Sequence, residues 1–318
     1  MLKQFEELVA AGRFVEKPFT SMRVKLHVPC QWRCHFCHME GNHNSGSVNN
    51  SDSLVAMLAP LKDRYGLDEI HLTGGEPSIH PQVVEHVDAL TRAGYAVKMT
   101  TNGQTNLARY VDCINAGLQE VNVSIHTMDP IALGQLMNPP CSKSWGDQAI
   151  ERQIALCDAL RGRFVVKVNT CVGADESEAL KIASFVRGSE MRWRIMKVLE
   201  TSESSEAAMV RLCATLGAVP KRAIFVRGTS SCSIEMATAD NFSFSVKIIR
   251  PLRLQAMCIG CPVDAEGKCF EFAYGPRVEA VGKQLLVRSC LYRSETPFVL
   301  TPQEFLHHQI GEETYDKC

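Results

Sequence analysis

Fourteen cysteines punctuate this 318-residue chain, and two groups of them are spaced for shared chemistry. Cys30, Cys34 and Cys37 read C-x3-C-x2-C. Three thiolates on so short a loop suit an iron–sulfur cube, which would keep one of its irons without a protein ligand. An open coordination position marks a reactive metal site rather than a closed structural one. The alternative is structural zinc completed by His35, His38 or His43, although zinc sites more often pair cysteines as repeated C-x2-C units. Cys258, Cys261 and Cys269, with Cys290 beyond them, form the second group, which suits a second cluster, zinc or a metal-free thiol core. Cys113, Cys141, Cys157, Cys171, Cys213 and Cys232 stand singly in apolar, periodic segments and read as packing, and Cys318 as a frayed end.

A further motif, Thr73-Gly74-Gly75-Glu76-Pro77, follows the strand-like run EIHL. Two glycines let backbone approach a ligand closely and bare its N–H and C=O groups. The elements that must position both motifs are legible as an alternation. Strand patterns at 22–28, 69–73, 96–101, 120–126, 164–172 and 191–199 are separated by helical stretches, many of them closed by glycine. Strand then helix, six times, predicts a parallel sheet with right-handed crossovers. Six units fall short of a closed eightfold barrel. The expected fold is therefore α/β, a partial (β/α)6 TIM-type barrel, with an open flat sheet as the alternative. The cysteine triplet then lies at the C-terminal end of the first strand, where parallel α/β folds place active sites. The expected organisation is an N-terminal helix (1–19), the barrel (20–220) and a small cysteine-rich C-terminal module of short strands (221–318).

Composition narrows the function classes. Thirty-four Lys and Arg against 35 Asp and Glu give a net charge of −1, which argues against a nucleic-acid partner bound through bulk charge. No apolar run reaches the roughly 20 residues of a membrane span, and no secretory leader is read at the N-terminus, so the expected setting is the cytoplasm, with thiols reduced.

Taken together, CQWRCHFC (30–37), TGGEP (73–77), TTNG (100–103) and VNVSIHTMDP (121–130) resemble the radical S-adenosylmethionine (SAM) superfamily. Within it the chain is similar to the GTP 3′,8-cyclase (MoaA) group. Arg23, seven residues before the first cysteine, VKVN (166–169), MRW (191–193) and the late C-x2-C carry that likeness. The resemblance implies a [4Fe–4S] cluster on Cys30, Cys34 and Cys37, with SAM on the open iron. One-electron reduction would yield a 5′-deoxyadenosyl radical that removes hydrogen from the substrate. Phe36, Gly74, Gly75, Glu76, Thr101, Asn102 and Ser124 match SAM-binding positions. Arg23, Lys167 and Arg192 match cationic substrate positions, and Arg194 adds a fourth charge suited to phosphate or carboxylate. Pairing of these cations with neighbouring carboxylates is the other reading. The likeness further implies a second [4Fe–4S] cluster on Cys258, Cys261 and Cys290, with Cys269 as a candidate fourth ligand, and a flavodoxin- or ferredoxin-type electron donor.

Several positions depart from the MoaA pattern. PVDAEGK (262–268) follows the late cysteine pair, the chain ends GEETYDKC, Val28 and Pro29 precede Cys30, and Arg194 and Ile195 follow the MRW motif. These departures bear on GTP cyclisation and leave SAM cleavage untouched. The expected function is a MoaA-like radical SAM enzyme acting on an anionic small molecule, a nucleotide or nucleoside. The alternatives are GTP 3′,8-cyclase itself, a peptide-modifying maturase, and a non-catalytic iron–sulfur carrier or sensor. His71, His80, His86 and His126 read as structural.

Overall fold

The computed structural model describes residues 1–38, 45–199, 201–295 and 298–307, the side chains of Ser202, Gln255 and Ala256 excepted. His43, Cys318 and the terminal GEETYDKC lie outside the described residues. Six strands run parallel in chain order: β2 (Ser21–Lys25), β3 (Glu69–Thr73), β4 (Ala96–Thr101), β5 (Leu118–Ser124), β6 (Val165–Val172) and β7 (Arg192–Lys197). The helices α2 (Ser51–Tyr65), α3 (Val83–Arg92), α4 (Leu107–Asn115), α6 (Lys143–Leu160) and α7 (Ser177–Val186) connect them. This is the expected partial barrel. Asn50 caps α2, its side chain accepting from Ser53 N (2.7 Å).

Strand alternation explains both the core and the cavity. Val24, Ile70, Leu72, Val97, Met99, Val121, Val123, Val166 and Val168 are fully buried beneath the helices. The residues between them (Arg23, His71, Lys98, Glu120, Lys167, Arg194) turn to the concave face and line a cavity. A closed eightfold barrel fills its interior with branched apolar side chains; here that face is polar.

The chain after residue 218 does not stand apart from the sheet. Beyond β7 come β10 (Ser243–Ile249, parallel), then antiparallel β9 (Ser231–Ala237), β8 (Val219–Val226) and finally β1 (Phe14–Lys17). Beyond β2 come β11 (Arg277–Val281, parallel), β12 (Gln284–Arg288) and β13 (Val299–Leu300). The N-terminal segment, expected to be helix alone, holds α1 (Leu2–Ala10) and then β1. The chain after residue 218 thus covers both edges of the parallel strands, and β1 closes the outer edge of β8, in a sheet of 13 strands among the described residues.

Candidate active site

Cys30, Cys34 and Cys37 lie on the loop leaving β2, at the C-terminal end of the barrel strands. Backbone holds that loop from two sides. Gly75 N donates to His27 O and Glu76 N to Pro29 O, both at 2.9 Å. A Cβ on Gly75 would stand 2.1 Å from both Val28 O and Pro29 O, and one on Gly74 (φ +133) would stand 2.5 Å from His27 O. The glycine pair therefore makes room first for the backbone leading to Cys30, a role the ligand-approach reading of the motif missed. On the other side Asn138 N donates to Arg33 O (2.8 Å) and His35 N to Leu136 O (2.9 Å). Trp32 anchors the loop among Leu133, Met137, Ala149 and Ile150.

Cys30 and Cys37 are exposed and Cys34 is half-buried. Trp32 N (3.4 Å) and Asn102 Nδ2 (3.6 Å) donate to Cys30 Sγ. Desolvation by the surrounding chain, which reaches even the surface-lying Cys30, pushes Cys30 up to about 11 and Cys34 up to about 12, and the closeness of the other sulfurs of the loop adds to both. Crowded thiols of this kind give up their protons to a cationic metal group that neutralises them together. Among the described residues no three His, Cys, Asp or Glu side chains close on one ion-sized point. The fit to a [4Fe–4S] group therefore rests on the donor set, three thiols on one open loop, and on the N–H groups aimed at Cys30.

Glu76, 1% exposed, is spent on the protein itself. Its carboxylate accepts from Ser78 N (3.1 Å), Ser78 Oγ (2.6 Å), Thr101 Oγ1 (2.7 Å) and Asn102 N (2.6 Å). Burial raises its pKa against the pull of these donors. It latches the end of β3 to the end of β4, bringing Thr101 and Asn102 beside the cysteine loop. Gln153 on α6 extends the latch, its Nε2 donating to Asn102 O (2.9 Å) and Ser124 O (2.7 Å). Sequence reasoning missed Gln153, which lies mid-helix with no local signal. Phe36 packs edge-on against His126, with ring centroids 5.1 Å apart.

Below this rim lies a cavity of about 870 Å3 lined by Arg23, His71, Lys98, Glu120, Lys167, Arg192, Arg194, Lys247 and Tyr274 among others. All four expected cations are present, in two environments. Glu120, 3% exposed, binds Lys167 (2.5 Å), Arg192 (3.3 Å) and Lys98 (3.8 Å). The carboxylate-pairing reading thus holds for Lys167 and Arg192. Burial and neighbouring Arg194 bring Lys167 down to about 8 against the pull of Glu120. Deeper in, Arg23 donates to Tyr274 Oη (2.5 Å), and Lys247 reaches the same oxygen. Burial would raise the Tyr274 phenol, yet the two cations outweigh it and lower its pKa. Arg194 Nε is buried with no hydrogen-bond partner among the described residues. Lys98, Glu120 and Lys247 went unnoticed in the sequence, although the alternation of AVKMTT, EVNVS and FSVKI places all three on the concave face.

Cys258, Cys261, Cys269 and Cys290 line one small pocket with Arg253, Phe272 and Arg293. Arg293 Nη1 donates to Cys261 Sγ (3.6 Å). Burial opposes ionisation of Cys261, but the amides of Asp264 and Val263 and the Arg293 side chain outweigh it and lower its pKa. Tyr274, five residues after Cys269, lines the barrel cavity. Among the single cysteines, Cys113, Cys157, Cys213 and Cys232 lie in the apolar core. Cys171 instead shares the concave face of β6 with Lys167, and burial pushes it up to about 12.

Comparison with known proteins follows the same lines. The family model described as the radical SAM superfamily matches residues 25–185. A probable GTP 3′,8-cyclase of Thermococcus kodakarensis is 26% identical over 197 residues, 61% of this chain and 62% of that protein, so the match spans less than two thirds of its length. One from Methanocella arvoryzae is 28% identical over 247 residues, 76% of each chain. Among solved structures, anSMEcpe with bound AdoMet shares the fold at a TM-score of 0.57 and 12% identity, over 95% of this chain and 83% of that one.

Proposed function

From the premise that the chain belongs to the radical SAM superfamily, we propose that this enzyme acts on an anionic small molecule of the nucleotide or nucleoside class. Membership implies a [4Fe–4S] cluster and SAM, for which Cys30, Cys34 and Cys37 are the ligands assigned here. When bound, the cluster with SAM supplies one-electron cleavage of SAM and removal of a hydrogen atom from the substrate by its 5′-deoxyadenosyl fragment.

The chain's own residues do the rest. The backbone of Gly74 and Gly75 faces the methionine end of SAM, since the Glu76 carboxylate is already saturated by protein donors. Thr101, Asn102, Ser124 and Phe36 line the remainder of the SAM pocket. Arg23 and Arg194 orient the substrate's anionic group while Lys167 and Arg192, tied to Glu120, add attracting charge, and Arg194 is the most available because among the described residues nothing satisfies its Nε. The walls of the barrel exclude water from the reacting atoms. Cys258, Cys261 and Cys290 hold a second cluster with Cys269 as fourth ligand, a reading supported by the four thiols lining one pocket. A flavodoxin- or ferredoxin-type donor supplies electrons.

The observation that carries the proposal is the charged cavity of about 870 Å3 beneath the cysteine loop. Anaerobically reconstituted, dithionite-reduced protein is expected to release 5′-deoxyadenosine from SAM, and Cys30→Ala to abolish the release. Deuterated nucleotides, GTP first because of the relatives named above, then report the substrate by passing deuterium into 5′-deoxyadenosine. Arg194→Gln is expected to weaken substrate affinity at least tenfold with SAM cleavage retained. Unchanged affinity would refute the anionic-substrate reading. About eight irons per chain rather than four would mark two clusters.

A further inference from the structure

Among the single cysteines that sequence reasoning treated as packing, Cys171 stands outside both apolar clusters of the fold. It is half-buried where Cys113 and Cys157 are sealed. On β6 the residues Lys167, Asn169 and Cys171 share one face by strand alternation, and Lys167 marks that face as the cavity side. Cys171 lies within electrostatic reach of Cys34 and Cys37 on one side and of Lys247 on the other. Its backbone N donates to His126 Nδ1 (3.1 Å), on the ring that packs against Phe36. The thiol therefore lies close both to the loop assigned to SAM cleavage and to a lysine that lines the cavity assigned to the substrate. The neighbouring face also asks for a ligand. Among the described residues, Asn169, 8% exposed, has a buried Oδ1 with no partner, and its register partner on β7, Arg194, has a buried Nε with none.

We propose that Cys171 is a catalytic hydrogen-atom donor, returning a hydrogen to the carbon radical left on the substrate. The step forms a C–H bond and breaks the weaker S–H bond, converting substrate radical and thiol into product and thiyl. One electron from the flavodoxin- or ferredoxin-type donor and one solvent proton then restore the thiol. Product and substrate would accordingly stand at the same oxidation level. This inference rests on the SAM-cleavage reading above.

The test is chosen to separate the two. Reduced, iron-loaded holoenzyme is given SAM alone in D2O, so that the 5′-deoxyadenosyl fragment draws on the nearest hydrogen donor. The Cys171 thiol exchanges with solvent, so the wild-type 5′-deoxyadenosine is expected to gain one deuterium by mass spectrometry. Cys171→Ser and Cys171→Ala are expected to lower that incorporation at least tenfold while keeping iron content and SAM binding by equilibrium dialysis. Unlabelled wild-type product, or label retained in both variants, overturns the proposal, as does loss of iron in both, which would assign Cys171 to ligation or packing. Absence of any 5′-deoxyadenosine instead overturns the SAM-cleavage reading and this one with it. A second readout needs no turnover: in iron-free protein, N-ethylmaleimide followed by peptide mapping is expected to label Cys171 ahead of Cys113 and Cys157. Labelling no faster than theirs would show a sealed thiol and overturn the donor role.

Discussion

Gly75 shows how little freedom single positions near the cysteine loop retain. A methyl group there would sit 2.1 Å from two carbonyl oxygens of the segment entering Cys30, neither of which is the end of a flexible side chain. Gly75→Ala is expected to cost roughly 1–3 kcal/mol of stability, as overpacking does. It should also lower the iron retained after reconstitution, because the displaced backbone carries the first cysteine. Iron analysis beside a urea melt checks this, and normal iron content would contradict the loop-positioning role. The motif was legible in the sequence as TGGEP, but its physical task was not. A close approach between two backbones 46 residues apart (Gly75 and Pro29) leaves no trace in either segment alone. Glu120 teaches the same lesson from the opposite side, since nothing in EVNVS announces a carboxylate shared by three cations.

At the scale of elements, the chain after the cysteine loop is held by a cluster of three histidines. His27, His80 and His86 lie with successive ring centroids 5.0 and 5.1 Å apart. His80 Nε2 meets Ser47 Oγ (2.8 Å), while His86 meets Ser51 Oγ (2.8 Å) and Val48 O (2.7 Å). These contacts fasten the start of α2 and the segment before it to the start of α3. Burial brings His80 down to about 4, with the other two histidines and Arg109 adding to it, and burial lowers His27 and His86 as well. A histidine with a depressed folded pKa binds its proton more readily in the unfolded chain. Its contribution is thus fully present above about pH 6.5 and lost as pH falls towards 4. Between pH 7 and pH 5 His80 alone is expected to remove on the order of 2 kcal/mol. A urea midpoint that falls over this interval checks the prediction, and a flat profile would refute it. His80 and His86, expected to be structural, make these contacts, whereas His27 went unnoticed, because the cluster depends on three separate elements meeting.

For the whole molecule, the decisive feature is that residues after 218 complete the sheet on both flanks of the barrel strands. β10 pairs with β7 and β11 with β2, so a fragment ending at Ala218 would expose two strand edges. Such a fragment is expected to aggregate, or to melt without cooperativity, in size-exclusion and thermal-denaturation measurements. A monomeric, cooperatively melting fragment would show instead that the barrel stands alone.

The sequence by itself determined the six strand–helix units, the cysteine triplet at the first strand's exit and the family, because each depends on local periodicity or on motifs a few residues long. Tertiary contacts settled which cations keep charge to spare, where both chain ends pair, and that Cys171 lies on the concave side of β6 outside the apolar core. Those outcomes depend on which side chains meet across a curved sheet. Carboxylate pairing and burial are properties of such meetings, and no single strand carries them.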